Sequence, residues 1–115
     1  MSDPEKLNKL CVIIVDDPDL TDSLITGFLE IGVRGATVVE TRGMGQIVRQ
    51  DMPIFAGLAG LFPETSGSRM ILSAMPQSIV QPVFDLIDEL VGTQEESHSV
   101  ICFTLPIEEF RGIRS

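Results

Sequence analysis

The sequence predicts an α+β domain in which two helices cover one face of a four-stranded antiparallel sheet, with the elements in the order βαββαβ. Four short runs rich in apolar and β-branched residues are interleaved with two amphipathic stretches at helical spacing, and glycine or proline stands at most of the boundaries. The 115 residues suit one domain, 1–115, with a single core.

Leu10 to Val15 (L-C-V-I-I-V) is the first strand, bounded by Asp16, Asp17 and Pro18. Asp17 offers an N-cap with Pro18 at the first helical position, and Asp19 suits the positive end of the helix dipole. The helix that follows sets Leu20, Leu24, Ile25, Phe28 and Leu29 on one face and closes near Gly32, with Thr21, Asp22, Thr26 and Glu30 mostly on the other side. Ala36 to Thr41 is the second strand and Met70 to Met75 the third, ended by Pro76. The second helix starts near Gln77 or Ser78 and accepts Pro82 only in or near its first turn. Its apolar face is Val83, Ile87, Leu90 and Val91 with Phe84 alongside, and Gly92 stands where a C′ glycine belongs. After an acidic turn, His98 to Leu105 is the fourth strand, and Pro106 to Ser115 is a tail expected to fold back over the scaffold. The order is that of the split βαβ, or ferredoxin-like, arrangement.

A lone sheet of this kind alternates apolar and polar residues because its uncovered face meets water. Cys11, Val12, Ile13 and Ile14 are instead apolar at both parities, as are Val100, Ile101, Cys102 and Phe103. The uncovered face is therefore expected to be buried against copies of the same chain.

The formal charge of −9 repels phosphate backbones and argues against nucleic acid as a partner. Four of the eight basic residues (Arg34, Arg42, Arg49 and Arg69) nevertheless fall in or beside the central segment, either as an anion-attracting patch or as ordinary solvated charges. Cys11 and Cys102 sit inside apolar runs and read as two buried thiols of a reducing compartment, able to lie on neighbouring strands. The polar start M-S-D-P-E-K does not fit a signal peptide, and no apolar run nears the roughly 18 residues of a membrane span. A cytoplasmic protein without direct membrane insertion is expected. One histidine, His98, with no readable nucleophile and base around it, gives no catalytic constellation, so no enzyme is expected. The cysteines and His98 lack the spacing of a metal site, and Asp16, Asp17 and Asp19 read as a helix start, so no metal is expected.

Between the second and third strands the chain runs far beyond the roughly 12–15 residues at which loops become functional or disordered. Within this segment, about 46–68, Ile54, Phe55, Leu58, Leu61 and Phe62 form an apolar stretch interrupted by Gly57 and Gly60 and flanked by Pro53 and Pro63. It reads either as a short helix packed on the body or as an exposed patch for a partner.

The run L-E-I-G-V-R-G-A-T-V-V-E-T-R-G-M-G (Leu29 to Gly45) resembles the PII signalling proteins around their second strand, where Gly-x-Thr-Val enters the strand and a basic-Gly-x-Gly leaves it. The layout is similar over about residues 8 to 105, and Pro76 and Gly92 fall where that family has equivalents. The resemblance implies a homotrimer with a long T-loop and an adenine nucleotide (ADP, AMP or ATP) in clefts between subunits. It implies that Gly35, Ala36 and Thr37 serve the cleft, that Arg42, Gly43, Met44, Gly45 and Gln46 lie by the phosphates, and that Gly92 borders the site. Glycines lacking Cβ let backbone N–H groups approach an anion and adopt left-handed conformations at little cost, although a Gly-x-Gly also serves simply to leave a strand.

The chain departs from the family at the turn before the last strand, T-Q-E-E-S-H-S, where Glu95 and Glu96 replace a Gly-Asp-Gly-Lys turn whose lysine pairs with phosphate. Arg111 and Arg114 are the only candidates for the basic pair after that strand, and Leu72 stands where the family usually has an acid. These changes lower the affinity expected for ATP. With no tyrosine in the chain, uridylylation of a loop tyrosine is excluded. Two functions fit: a trimeric regulator that senses a small metabolite and reaches a membrane transporter or an enzyme through its loop, or a ligand-free oligomeric adaptor. A metal-tolerance trimer of the CutA type is a more remote variant.

Overall fold

The computed structural model describes residues 6–44, 47, 68–92 and 100–112. Along them run β1 (Lys9–Val15), α1 (Pro18–Ile31), β2 (Thr37–Thr41), β3 (Ser68–Met75), α2 (Gln77–Gly92) and β4 (Val100–Pro106). The strands form one sheet in the order β2-β3-β1-β4, antiparallel at every contact. The expected ferredoxin-like architecture is thus present, with the strongly apolar β1 in the interior and β2 and β4 at the edges.

The register sorts the strand residues by face. Ile13 lies opposite Ile71 and Cys102, and Val12 lies opposite Leu72 and Phe103. Because successive side chains alternate, Cys11, Ile13, Val15, Ile71 and Met75 point to the helices. They make the buried core with Leu20, Leu24, Phe28, Val33, Val80, Val83 and Ile87. The opposite parity carries Leu10, Val12 and Ile14 of β1, Met70, Leu72 and Ala74 of β3, and Ile101, Phe103 and Leu105 of β4.

α1 is capped as expected at both ends. The Asp17 carboxylate accepts a 2.9 Å hydrogen bond from the Asp19 amide, and Pro18 opens the helix. At the other end Gly32 is left-handed (φ 92°, ψ 14°), and the Phe28 carbonyl accepts from the Gly32 and Val33 amides. The buried face differs from the expected one. Leu29 is 72% exposed, whereas Thr21 and Gly27 are buried. At about 100° per residue, Leu29 lies too far round from the Leu20–Leu24 line, and Thr21 falls closer to it. Gly27 faces α2, where an added Cβ would meet both Leu86 methyls at 2.6 Å.

α2 continues through Pro82, the sixth residue of the helix and so just beyond the first turn, surrendering one intrahelical donor there. Its first amide, that of Gln77, is satisfied from far along the chain by the Asn8 side chain at 3.0 Å. Gly92 is the last helical residue and has no positive φ, unlike the expected C′ glycine. A missing Cβ permits the left-handed conformation without requiring it.

Four strand limits move. β1 starts at Lys9 rather than Leu10, β2 starts at Thr37 rather than Ala36, and β3 starts at Ser68 because Thr41 and Glu40 pair with Ser68 and Arg69. β4 ends at Pro106, while its expected start, His98 and Ser99, lies outside the described residues. As far as residue 112 the tail does not fold back over the scaffold: beyond the hydrogen bond from the Ile107 amide to the Asn8 carbonyl, residues 108–112 are exposed, and 113–115 lie outside the described residues. Among the described residues, no helix is long and apolar enough to cross a membrane.

Candidate functional site

The candidate residues divide between the two ends of β2. Gly35, Ala36 and Thr37 stand where the chain enters the strand, and all three are exposed. Arg42, Gly43 and Met44 follow its last residue and are exposed as well. From Thr37 to Thr41 the strand rises roughly 13 Å at about 3.3 Å per residue, so the two groups are held apart within one chain. Gly92 closes α2 on the way to β4, which lies at the opposite edge of the sheet from β2. The exit of β2 and the end of α2 thus stand over different parts of the sheet. Gly45 and Gln46, the apolar stretch Ile54, Phe55, Leu58, Leu61 and Phe62, and the turn with Glu95, Glu96 and His98 lie outside the described residues.

Sequence reasoning missed what fixes these groups in place. Ser73 is buried, and its hydroxyl donates a 2.6 Å hydrogen bond to the Gly35 carbonyl, anchoring the start of β2 to β3. The signal was a serine at a core-facing position of M-I-L-S-A-M, since a buried hydroxyl needs a partner. Ser73→Ala is expected to cost about 0.5–1.5 kcal/mol, read from urea unfolding at a fixed protein concentration. At the other end, the Thr41 and Ser68 hydroxyls are 2.7 Å apart and clamp the base of the long segment.

The electrostatics of that end are also changed. Arg69 lies 3.3 Å from the Glu40 carboxylate across the β2–β3 pair, so its charge is directed at that partner rather than at a ligand. Such an exposed pair contributes about 0–1 kcal/mol to stability. Arg34 and Arg42 are both exposed, one before and one after β2.

Gly43 has no positive φ, so the left-handed freedom of glycine is not used there. Its carbonyl accepts a 3.1 Å hydrogen bond from the Ile47 amide. Among the described residues, an added Cβ at Gly35, Gly43 or Gly92 meets nothing within 4 Å. Among the described residues, no group of three or more His, Cys, Asp and Glu is placed to hold a metal ion.

A family model described as nitrogen regulatory protein P-II matches residues 8–115. Curated proteins give no match. Among solved structures, the chain is similar to CPII, a nitrogen regulatory PII-like protein from Thiomonas intermedia K12 bound to ADP, AMP and bicarbonate. The TM-score is 0.61 at 19% identity, over 92% of this chain and 96% of that one. A functionally unknown protein from Pediococcus pentosaceus ATCC 25745 matches with TM-score 0.63 and 22% identity, over 94% and 100% of the two chains. Arabidopsis thaliana PII bound to citrate matches with TM-score 0.60 and 20% identity, over 87% of this chain and 78% of that one.

Proposed function

The chain belongs to the nitrogen regulatory protein P-II family, and on that premise we propose that it is a homotrimeric signalling protein of the cytoplasm. It takes a small metabolite into clefts between subunits and regulates a membrane transporter or an enzyme through segment 46–68. The reading assigns it no catalysis of its own.

The observation that carries the proposal is the apolar face turned away from the helices. Ile101, Phe103 and Leu105 are 53%, 41% and 48% exposed there and lie beside Leu10, Val12 and Ile14. A second copy seated on this surface buries residues that water otherwise wets, and the same assembly brings the separated halves of the site to shared clefts. An adenine nucleotide is the favoured ligand class, ADP or AMP before ATP. The bound ADP and AMP of the Thiomonas protein support the class, and the acidic turn at Glu95 and Glu96 disfavours the extra phosphate. That turn also favours the second reading, a ligand-free adaptor of the same fold.

Since an added Cβ at Gly35 or Gly43 meets none of the described residues within 4 Å, Gly35→Leu and Gly43→Leu test the cleft at positions outside the buried core. Calorimetry with ADP, AMP and ATP is expected to show saturable binding to the wild-type protein that weakens by about tenfold or more, 1.4 kcal/mol, in each variant. Unchanged affinity in both variants removes these glycines from the site. No binding to the wild-type protein selects the adaptor.

A further inference from the structure

We propose that Cys11 and Cys102 are a reversible redox site, closing to an intramolecular disulfide that fastens edge strand β4 to β1. Both cysteines are free, and their sulfurs lie 3.6 Å apart on the helix-facing side of the sheet. They are 91 positions apart in sequence, so only the β1–β4 pairing brings them together. Cys11 is buried, whereas Cys102 is partly open to solvent on a strand with no neighbour on its far side among the described residues.

The register sets how the bond would behave. Cys11 lies opposite Thr104 and Cys102 opposite Ile13, so the two thiols are diagonal rather than directly opposed. Diagonal neighbours stand about 7–8 Å apart along the backbone, at or beyond the roughly 6.8 Å that an unstrained disulfide spans. Closure thus requires β4 to shift towards β1, which an edge strand can do, and strain of this kind makes a disulfide readily reducible. Such a bond suits a switch better than a permanent staple. The two sulfurs differ in both protonation and access: Cys11 is buried and Cys102 is the one open to solvent. The hydrogen bond with Cys102 holds the Cys11 thiol below its ordinary pKa against the opposing effect of burial. The same bond, burial and the neighbouring Cys11 charge push Cys102 up.

With hydrogen peroxide as oxidant, a thiolate of the pair attacks one oxygen as the O–O bond breaks, and the departing hydroxide takes up a proton to become water. The resulting sulfenic acid is attacked by the second sulfur, its S–O bond breaks, and a second water leaves. Two thiols lose two protons and two electrons, and the peroxide is reduced to two waters. A dithiol reductant reverses the change. Ile101 and Phe103 flank Cys102 and point to the opposite face, so displacement of β4 also moves part of the apolar surface proposed to bury against other subunits.

The test treats the full-length folded protein with hydrogen peroxide, alkylates the remaining thiols and measures intact and peptide masses. The expected result is loss of both alkylation sites together, a mass lower than the reduced, unalkylated chain by two hydrogens, and a peptide linking Cys11 to Cys102. Dithiothreitol is expected to restore both thiols. Cys11→Ser and Cys102→Ser should each abolish the link. Two alkylatable thiols remaining in the folded protein, or links found only between chains, would overturn the proposal whether or not nucleotide binds.

Discussion

Phe103→Asp is expected to convert the assembled protein to single chains while leaving each chain folded. Phe103 sits in the middle of the exposed β4 row, opposite Val12, which in turn lies opposite Leu72. Burying a phenylalanine side chain contributes roughly 1.5–3 kcal/mol, and the substitution forfeits this at each copy of the interface. The aspartate adds a larger penalty, because an unpaired carboxylate moved out of water must lose its hydration or its charge. Within one chain the cost is small, since Phe103 is already 41% exposed on the side away from the core. Sedimentation should report a fall to the mass of one chain at micromolar concentration, with the far-ultraviolet circular dichroism retained. An unchanged mass would place the subunit contact elsewhere. Phe103→Leu, which keeps the face apolar, should preserve the assembly.

Phe28→Ala is expected to have the largest effect on folding itself, about 3–5 kcal/mol, because truncating a buried phenylalanine loses its transfer energy and leaves a cavity. Phe28 is among the largest fully buried side chains and belongs to the cluster joining α1, β1, β3 and α2. That loss is a large share of the roughly 5–15 kcal/mol by which domains are stable. Leu29→Ala, the adjacent position on the same helix, should fall within about 0.5 kcal/mol of the wild type because Leu29 faces water. Urea unfolding of both variants at equal protein concentration measures the contrast. Similar losses in the two would contradict the orientation of α1.

The fold was legible because its local signals agree with its tertiary arrangement. The length and β-branched content of L-C-V-I-I-V favour a strand, and the structure gives it two strand neighbours and a helix-covered face. Asp17, Pro18 and Gly32 declare the ends of α1 through cap chemistry that acts over a few residues, and all three hold their expected roles. Part of what failed depended on contacts distant in sequence. Gly27 enters the buried face of α1 because Leu86 of α2 packs on it, whereas the exposure of Leu29 follows from helix geometry alone, about 180° round from Leu20.

The candidate site was legible only as a set of residue types. Nothing local reveals that Ser73 holds the Gly35 carbonyl or that Arg69 turns to Glu40, since both contacts follow from the pairing and packing of β2 and β3. β2 holds Gly35, Ala36 and Thr37 at its start and Gly43 and Met44 beyond its end. Their separation becomes intelligible once the unit that binds is taken to be larger than one chain.

That requirement is tested most directly by sedimentation equilibrium of the unaltered protein at micromolar concentration. The account predicts the mass of three chains, with no monomer at the lower end of that range. A stable single chain, its sheet open to water along Ile101, Phe103 and Leu105, would contradict it.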